Sequence, residues 1–198
     1  MSGPRVVGRR SRSGMGLAEL MIALAIAATL LAATAFALDT SIKAYRINLQ
    51  QAALLQNART AMNRILTTVR RTKLHAPDTA ALRTQFAANN TVTGTGIDMF
   101  DANNNLIIFR YDAATKRVNM IANGVTSPLI HGVEDFSITM KPMRSAGSAK
   151  VNGAWDLLER ATLLITVKTA NENTLDTEAP DKVTITLSAS VMPRRNTW

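Results

Sequence analysis

Glu19 stands immediately before Leu20–Leu38, 19 consecutive residues without a charge in which only Thr29 and Thr34 are polar. A charge at the centre of a membrane helix costs about 2.5 to 3.5 kcal/mol, less toward its edge, so a carboxylate kept at the mouth of such a run reads as a paired, functional group, the plainer alternative being a Glu that merely sits at the interface. As a helix the run is roughly 28 Å long, close to the roughly 30 Å of bilayer hydrocarbon. It is long enough to span.

Elsewhere the residues that could do chemistry are sparse. His75 and His131 are far apart, with no H-x-x-x-H spacing, and neither G-x-S-x-G nor G-x-x-x-x-G-K-[ST] occurs. The absence of cysteine excludes disulfides, a thiolate zinc site and a cysteine nucleophile, and leaves the compartment open. Two loops carry oxygen ligands. Asp101, Asn103, Asn105 and Asp112 fit positions 1, 3, 5 and 12 of an EF-hand loop, but Leu106 stands where that loop needs Gly, so they read as a hairpin turn. Glu172, Asp176, Glu178 and Asp181 gather in the stretch 171–181; they are hard ligands of the kind Ca²⁺ prefers, and a solvated loop is their plainer reading. Trp155, Trp198 and the Arg194-Arg195 pair read as packing and surface residues, an exposed Trp198 also suiting a partner interface.

The chain has 198 residues, a prior for one or two domains, and a net charge of +9 that is unevenly placed. Residues 1–14 carry Arg5, Arg9, Arg10 and Arg12 with no acid. Residues 40–77 carry Lys43, Arg46, Arg59, Arg64, Arg70, Arg71 and Lys73, again with no acid, and residues 78–198 are balanced at 12 basic and 12 acidic. The leading arginines keep the N-terminus cytoplasmic by the positive-inside rule and send residues 39–198 across. The basic stretch reads first as a solvated helix face, then as a surface for lipid head groups, acidic partners or DNA. With Tyr45 its only aromatic residue, it lacks the stacking platforms that DNA binding wants.

From Asp39 to Lys73 there is neither Pro nor Gly, and Ile42, Tyr45, Leu49, Ala52, Leu55, Ala58, Met62, Ile65 and Val69 recur at steps of three or four, one stripe of a helix. His75-Ala76-Pro77 should end it, giving a helix over residues 15–74 of roughly 90 Å. Residues 78–96 read as a short helical turn near Ala80–Ala87 followed by a polar linker. Then Ile97–Phe100, Leu106–Tyr111 and Arg117–Ile121 form a meander, joined by the turn sequences DANNN and DAATK. Three further runs, 135–141, 161–168 and 182–191, alternate apolar and polar residues. That pattern predicts an antiparallel sheet with one face on a core, which the stem's stripe would cover.

The sequence Gly14-Met15-Gly16-Leu17-Ala18-Glu19-Leu20, behind a basic leader and ahead of a long apolar run, resembles the class III signal of type IV pilins and type II secretion pseudopilins. Met15, Gly16 and Ala18 depart from the Phe, Thr and branched residue usual there. The resemblance implies that a prepilin peptidase cuts after Gly14 and methylates the new N-terminus at Met15. It also implies that Glu19 pairs with the N-terminal amine of a neighbouring subunit during assembly. The fold it implies is α+β: leader 1–14, membrane and assembly helix 15–38, amphipathic stem 39–76 and β-rich head 77–198. Within the head, Leu129–Phe136, Leu158–Ala161 and the closing Arg194-Arg195-Asn196 resemble J-type minor pseudopilins and W-type minor pilins, subunits that start the polymer near its tip. Glu19 argues against the K-type tip subunit, which typically lacks it. Such heads sometimes hold Ca²⁺ in a loop like 171–181; no other cofactor is implied.

The expectation is therefore a filament subunit, not an enzyme. It would sit single-pass in the inner membrane with its head in the periplasm or outside. Its partners would be other pilin or pseudopilin subunits, the peptidase and methyltransferase, the inner-membrane assembly platform and lipid. One rival is a binding or enzymatic domain released by signal peptidase after Ala35-Phe36-Ala37 and starting at Leu38. That rival leaves Glu19 without a use and the apolar run longer than a signal peptide needs. The other keeps the filament and assigns it to DNA uptake.

Overall fold

The computed structural model describes residues 16–143, 155–168 and 184–193. The chain divides into two compact units, residues 1–48 and 49–198.

A single helix, α1 (Leu17–Arg71), begins in the first unit and ends in the second. Over the apolar run its side chains are exposed among the described residues: Leu24, Leu31 and Phe36 are each at least 70 % exposed. Thr29 and Thr34 satisfy their hydroxyls inside the helix, donating to the carbonyls of Ile26 (2.8 Å) and Leu31 (2.9 Å). That leaves no polar group of theirs seeking a partner in an apolar medium.

In the second unit α1 presents Ala58, Ala61, Met62, Ile65 and Val69 to the core, with Leu54 and Leu66 half-buried beside them. The predicted stripe thus splits. Ala58, Met62, Ile65 and Val69 are buried, whereas Ile42, Tyr45 and Leu49 stay at least 50 % exposed.

The helix stops at Arg71, three residues before the predicted end, and Leu74–Pro77 form strand β1. The break is local. Thr72 turns its hydroxyl back to the carbonyls of Thr68 (3.0 Å) and Val69 (3.1 Å), and β1 pairs antiparallel with Gly96–Phe100. Pro77 is tolerated there as the last residue of an edge strand.

Next come α2 (Ala80–Ala87), β2 (Val92–Gly94), β3 (Gly96–Phe100), β4 (Leu106–Asp112), β5 (Arg117–Ala122), β6 (Val125–His131), β7 (Val133–Pro142), β8 (Leu158–Lys168) and β9 (Thr184–Val191). α2 was expected, and Thr79 caps it, its hydroxyl accepting from the Leu82 N–H at 3.4 Å. The polar linker that should follow α2 contains β2 instead, and β6 was not foreseen. The head also has two sheets in place of one: β1-β3-β4-β5-β6 and β2-β7-β8-β9, all their pairings antiparallel.

Both sheets bury one face against a shared core of Phe86, Phe109, Phe136, Ile97, Ile138, Leu163 and Ile165, together with the helix stripe. The period of two is plain in β7, which buries Phe136, Ile138 and Met140, and in β8, which buries Ala161, Leu163, Ile165 and Val167. Each such apolar side chain contributes about 1.5 to 3 kcal/mol on burial.

The sheet edges differ. β6 carries Pro128, which cannot donate to a further strand. β9 has neither charge nor proline, and among the described residues it pairs with β8 alone. Its Ser190 and Thr186 hydroxyls bond those of Thr162 (3.0 Å) and Thr166 (3.1 Å) across that pair.

Candidate processing and assembly site

Glu19 lies in the first turn of α1, and its Oε2 accepts the Gly16 backbone N–H at 3.2 Å. Gly16 is the residue before the helix and Glu19 the third within it, so this is the N3-to-N-cap half of a capping box. The carboxylate also lies in the first turn, at the positive end of the helix dipole. Glu19 is exposed on its outer side, so a second donor can reach it. Gly14, Met15 and the basic leader lie outside the described residues.

What Glu19 introduces is a helix longer and more apolar than a soluble core needs. Its best window has a mean hydropathy of 2.3, and none of that window is buried within the chain. A helical stretch that is apolar all round and exposed among the described residues suits lipid or the company of other helices.

The Ca²⁺ candidates Glu172, Asp176, Glu178 and Asp181 lie outside the described residues, as do Arg194, Arg195 and Trp198. Among the described residues no group of three or more His, Asp or Glu side chains is arranged to hold a metal.

The EF-hand pattern resolves into two turns at opposite ends of β4. Asp101 Oδ1 accepts from the N–H groups of Asn103 and Asn105, both at 2.8 Å, and Oδ2 accepts from Asn105 Nδ2 at 3.0 Å. Asp112 caps the next turn, accepting from the Ala114 N–H at 3.0 Å and the Thr115 hydroxyl at 2.7 Å. Bonds from the Asn105 side chain, and from the Thr115 hydroxyl, hold these two carboxyls below the usual range. Their oxygens are committed to backbone geometry.

Two buried polar groups went unread in the sequence. His75 is fully buried, with Nε2 2.8 Å from the Thr72 hydroxyl and 3.1 Å from the Val69 carbonyl, partners that assign the proton to Nε2. Burial lowers its pKa from 6.5 to about 4, against the opposing pull of the Val69 and Asp156 backbones. Asp98, on β3, takes Arg83 Nη2 of α2 at 2.5 Å, and Arg110 Nη2 lies 3.6 Å from its other oxygen. Burial raises the Asp98 pKa and the two arginines pull it back. Arg83 also donates from Nε to the Pro77 carbonyl at 2.8 Å and lies 5.4 Å from the Trp155 ring centre, while Trp155 packs on Phe100 at 4.6 Å. Trp155 is the packing residue expected. The pair Arg83 and Asp98 ties α2 to β3, and spacing gave no hint of it because the partners are 15 residues apart on different elements.

Residues 9–35 match the family model of the prokaryotic N-terminal methylation motif. No curated protein and no solved structure matches the chain. The matched segment takes in Gly14, Met15, Glu19 and most of the apolar run, and it leads into a helix packed on an antiparallel β head. The chain thus carries an N-terminal methylation motif at the head of a long helix that leads into an antiparallel β head, a pilin-like arrangement.

Proposed function

We propose that this chain is a structural subunit of a type IV pilus-like or type II secretion pseudopilus filament. It is made as a precursor with its N-terminus in the cytoplasm, cut after Gly14 by a prepilin peptidase and methylated at Met15. α1 holds it in the inner membrane until the assembly platform passes it to the filament. The observation that carries this reading is the methylation motif at the start of a helix whose first apolar run, Leu20–Leu38, leaves its large side chains exposed among the described residues. Glu19 then changes partners. Its bond to Gly16 sets the first turn, and its outer side receives the charged N-terminal amine of a neighbour, a charge-assisted bond about twice as strong as a neutral one.

Within that class the resemblance of the head favours a minor subunit that starts the polymer. Function lies in assembly, and neither a cofactor nor nucleic acid enters it. Release by signal peptidase after Ala37 is disfavoured because Ala37 is deep within α1, its carbonyl accepting the Thr40 hydroxyl at 2.9 Å.

The test is the intact mass and N-terminal peptide of the protein from membranes and from sheared filaments. A start at methylated Met15 is expected, and a start at Leu38 would overturn the proposal. Glu19→Ala should leave membrane insertion intact and deplete the protein from filaments; normal incorporation would remove the pairing role. Copy number in purified filaments checks the minor assignment.

A further inference from the structure

The second unit carries an open groove of about 550 Å³ lined by Arg70, Arg160, Ser190, Val191, Met192 and Pro193. Arg70 lies in the last turn of α1 and Arg160 near the start of β8. Neither guanidinium forms an ion pair with a described residue. The acid next to Arg160 is already engaged, since Glu159 takes Lys141 at 3.0 Å. Two exposed arginines lining one groove are a fork for carboxylates, which they bind bidentately and with charge assistance.

We propose that this groove receives the acidic stretch 169–183 of a second copy of the chain, a contact that rests on the filament reading. Glu172, Asp176, Glu178 and Asp181 stand there against Lys182 alone, while the rest of residues 78–198 carries 11 basic and 8 acidic side chains. Position supports the pairing. The stretch joins β8 to β9 in sequence after Lys168 and before Thr184, while the groove lies at the other end of the register, where Ala161 pairs with Val191. At about 3.4 Å per residue those ends are roughly 24 Å apart, so the acidic stretch leaves and rejoins the sheet at one end of the hairpin and the arginines lie at the other. Two different patches joined between copies make a heterologous contact, which repeats in one direction and builds an open array.

The chain has no cysteine, so Met192→Cys and Asp176→Cys introduce its only thiols. Full-length protein carrying both substitutions is expressed in membranes of a host with the assembly machinery and then oxidised. The expected result is a ladder of disulfide-linked dimers, trimers and larger species. Arg70→Glu with Arg160→Glu should abolish the ladder, and adding Glu172→Lys, Glu178→Lys and Asp181→Lys should restore it. A chain that fails to fold is recognised by protease sensitivity of the head, and Ser190→Cys then replaces Met192→Cys.

A fast-migrating monomer alone would mean that the stretch closes on its own groove, and would overturn the proposal. So would a chain found in sheared filaments without any ladder, an outcome that leaves the filament reading standing. A ladder without filaments would keep the contact and remove the filament reading. If neither forms, both fall.

Discussion

His75 sits where α1 hands over to β1, and its burial makes the stability of the head depend on pH. Its folded pKa, about 4, lies below the ordinary 6.5, so the unfolded chain binds the proton more tightly. The neutral ring therefore contributes stability that is fully present above pH 6.5 and is lost as pH falls toward 4, about 3 kcal/mol in all. Denaturant unfolding of the detergent-solubilised chain between pH 7 and pH 4 should show this decline, and His75→Gln should flatten it. A pH dependence that survives the substitution would assign the effect to other groups. Nothing in the sequence marked His75 as buried. It stands in a stretch that reads as the stop signal of a helix, and only the pairing of β1 with β3 and the bridge to Asp156 enclose it.

At the scale of elements, α1 is one helix with two environments. Ile65 is fully buried among the sheets, whereas Ile42 on the same predicted stripe is 50 % exposed. Ile65→Ala should cost the head about 2 to 5 kcal/mol, the range for truncating a large core side chain, and Ile42→Ala should leave its midpoint of unfolding unchanged. Equal losses at both positions would mean that the outer stripe is also packed in the isolated chain. Periodicity found the stripe but could not say where its cover ends, because the cover comes from strands far along the chain. The strands of the meander and those of β7, β8 and β9 were legible from alternation and from the turns of Asp101 and Asp112. Strand β6 was missed although its signal was present: Asn123-Gly124, with φ of 54° and 77°, is the favoured two-residue hairpin turn between Ala122 and Val125. β2 is only Val92–Gly94 and has no run long enough to show a period. The second sheet depends on which strands pair across long separations, which alternation does not encode.

For the whole molecule, the apolar run is long and apolar enough to cross a membrane. Its large side chains are exposed along its length, so the protein should stay with the membrane through high-salt and alkaline washes, which strip proteins held by charge alone. Leu24→Arg with Leu31→Arg would place two charges within the span, each costing about 2.5 to 3.5 kcal/mol near the helix centre, and should release the protein or block its insertion. Retention of that variant after washing would show that the run is not the anchor. This part of the candidate site was the most legible in the sequence, since an uninterrupted helix in lipid depends on local composition alone. The basic leader, the Gly and the placement of Glu19 act through neighbouring residues too. The groove of Arg70 and Arg160 is the opposite case, being assembled from a helix end and a hairpin about 90 residues apart in the chain.

The two sheet edges bear on how the precursor is handled before it is used. Pro128 closes β6 to strand addition, but Thr184–Val191 offers an uncharged edge along the length of β9. Precursors accumulating side by side in a membrane are confined to two dimensions, where encounters between heads are frequent. The exposed edge of β9 would then be the first place at which crowded heads add strand to strand. On the proposed filament reading, a small standing pool of unassembled subunits would guard against that, and rapid export would protect the protein as well as use it.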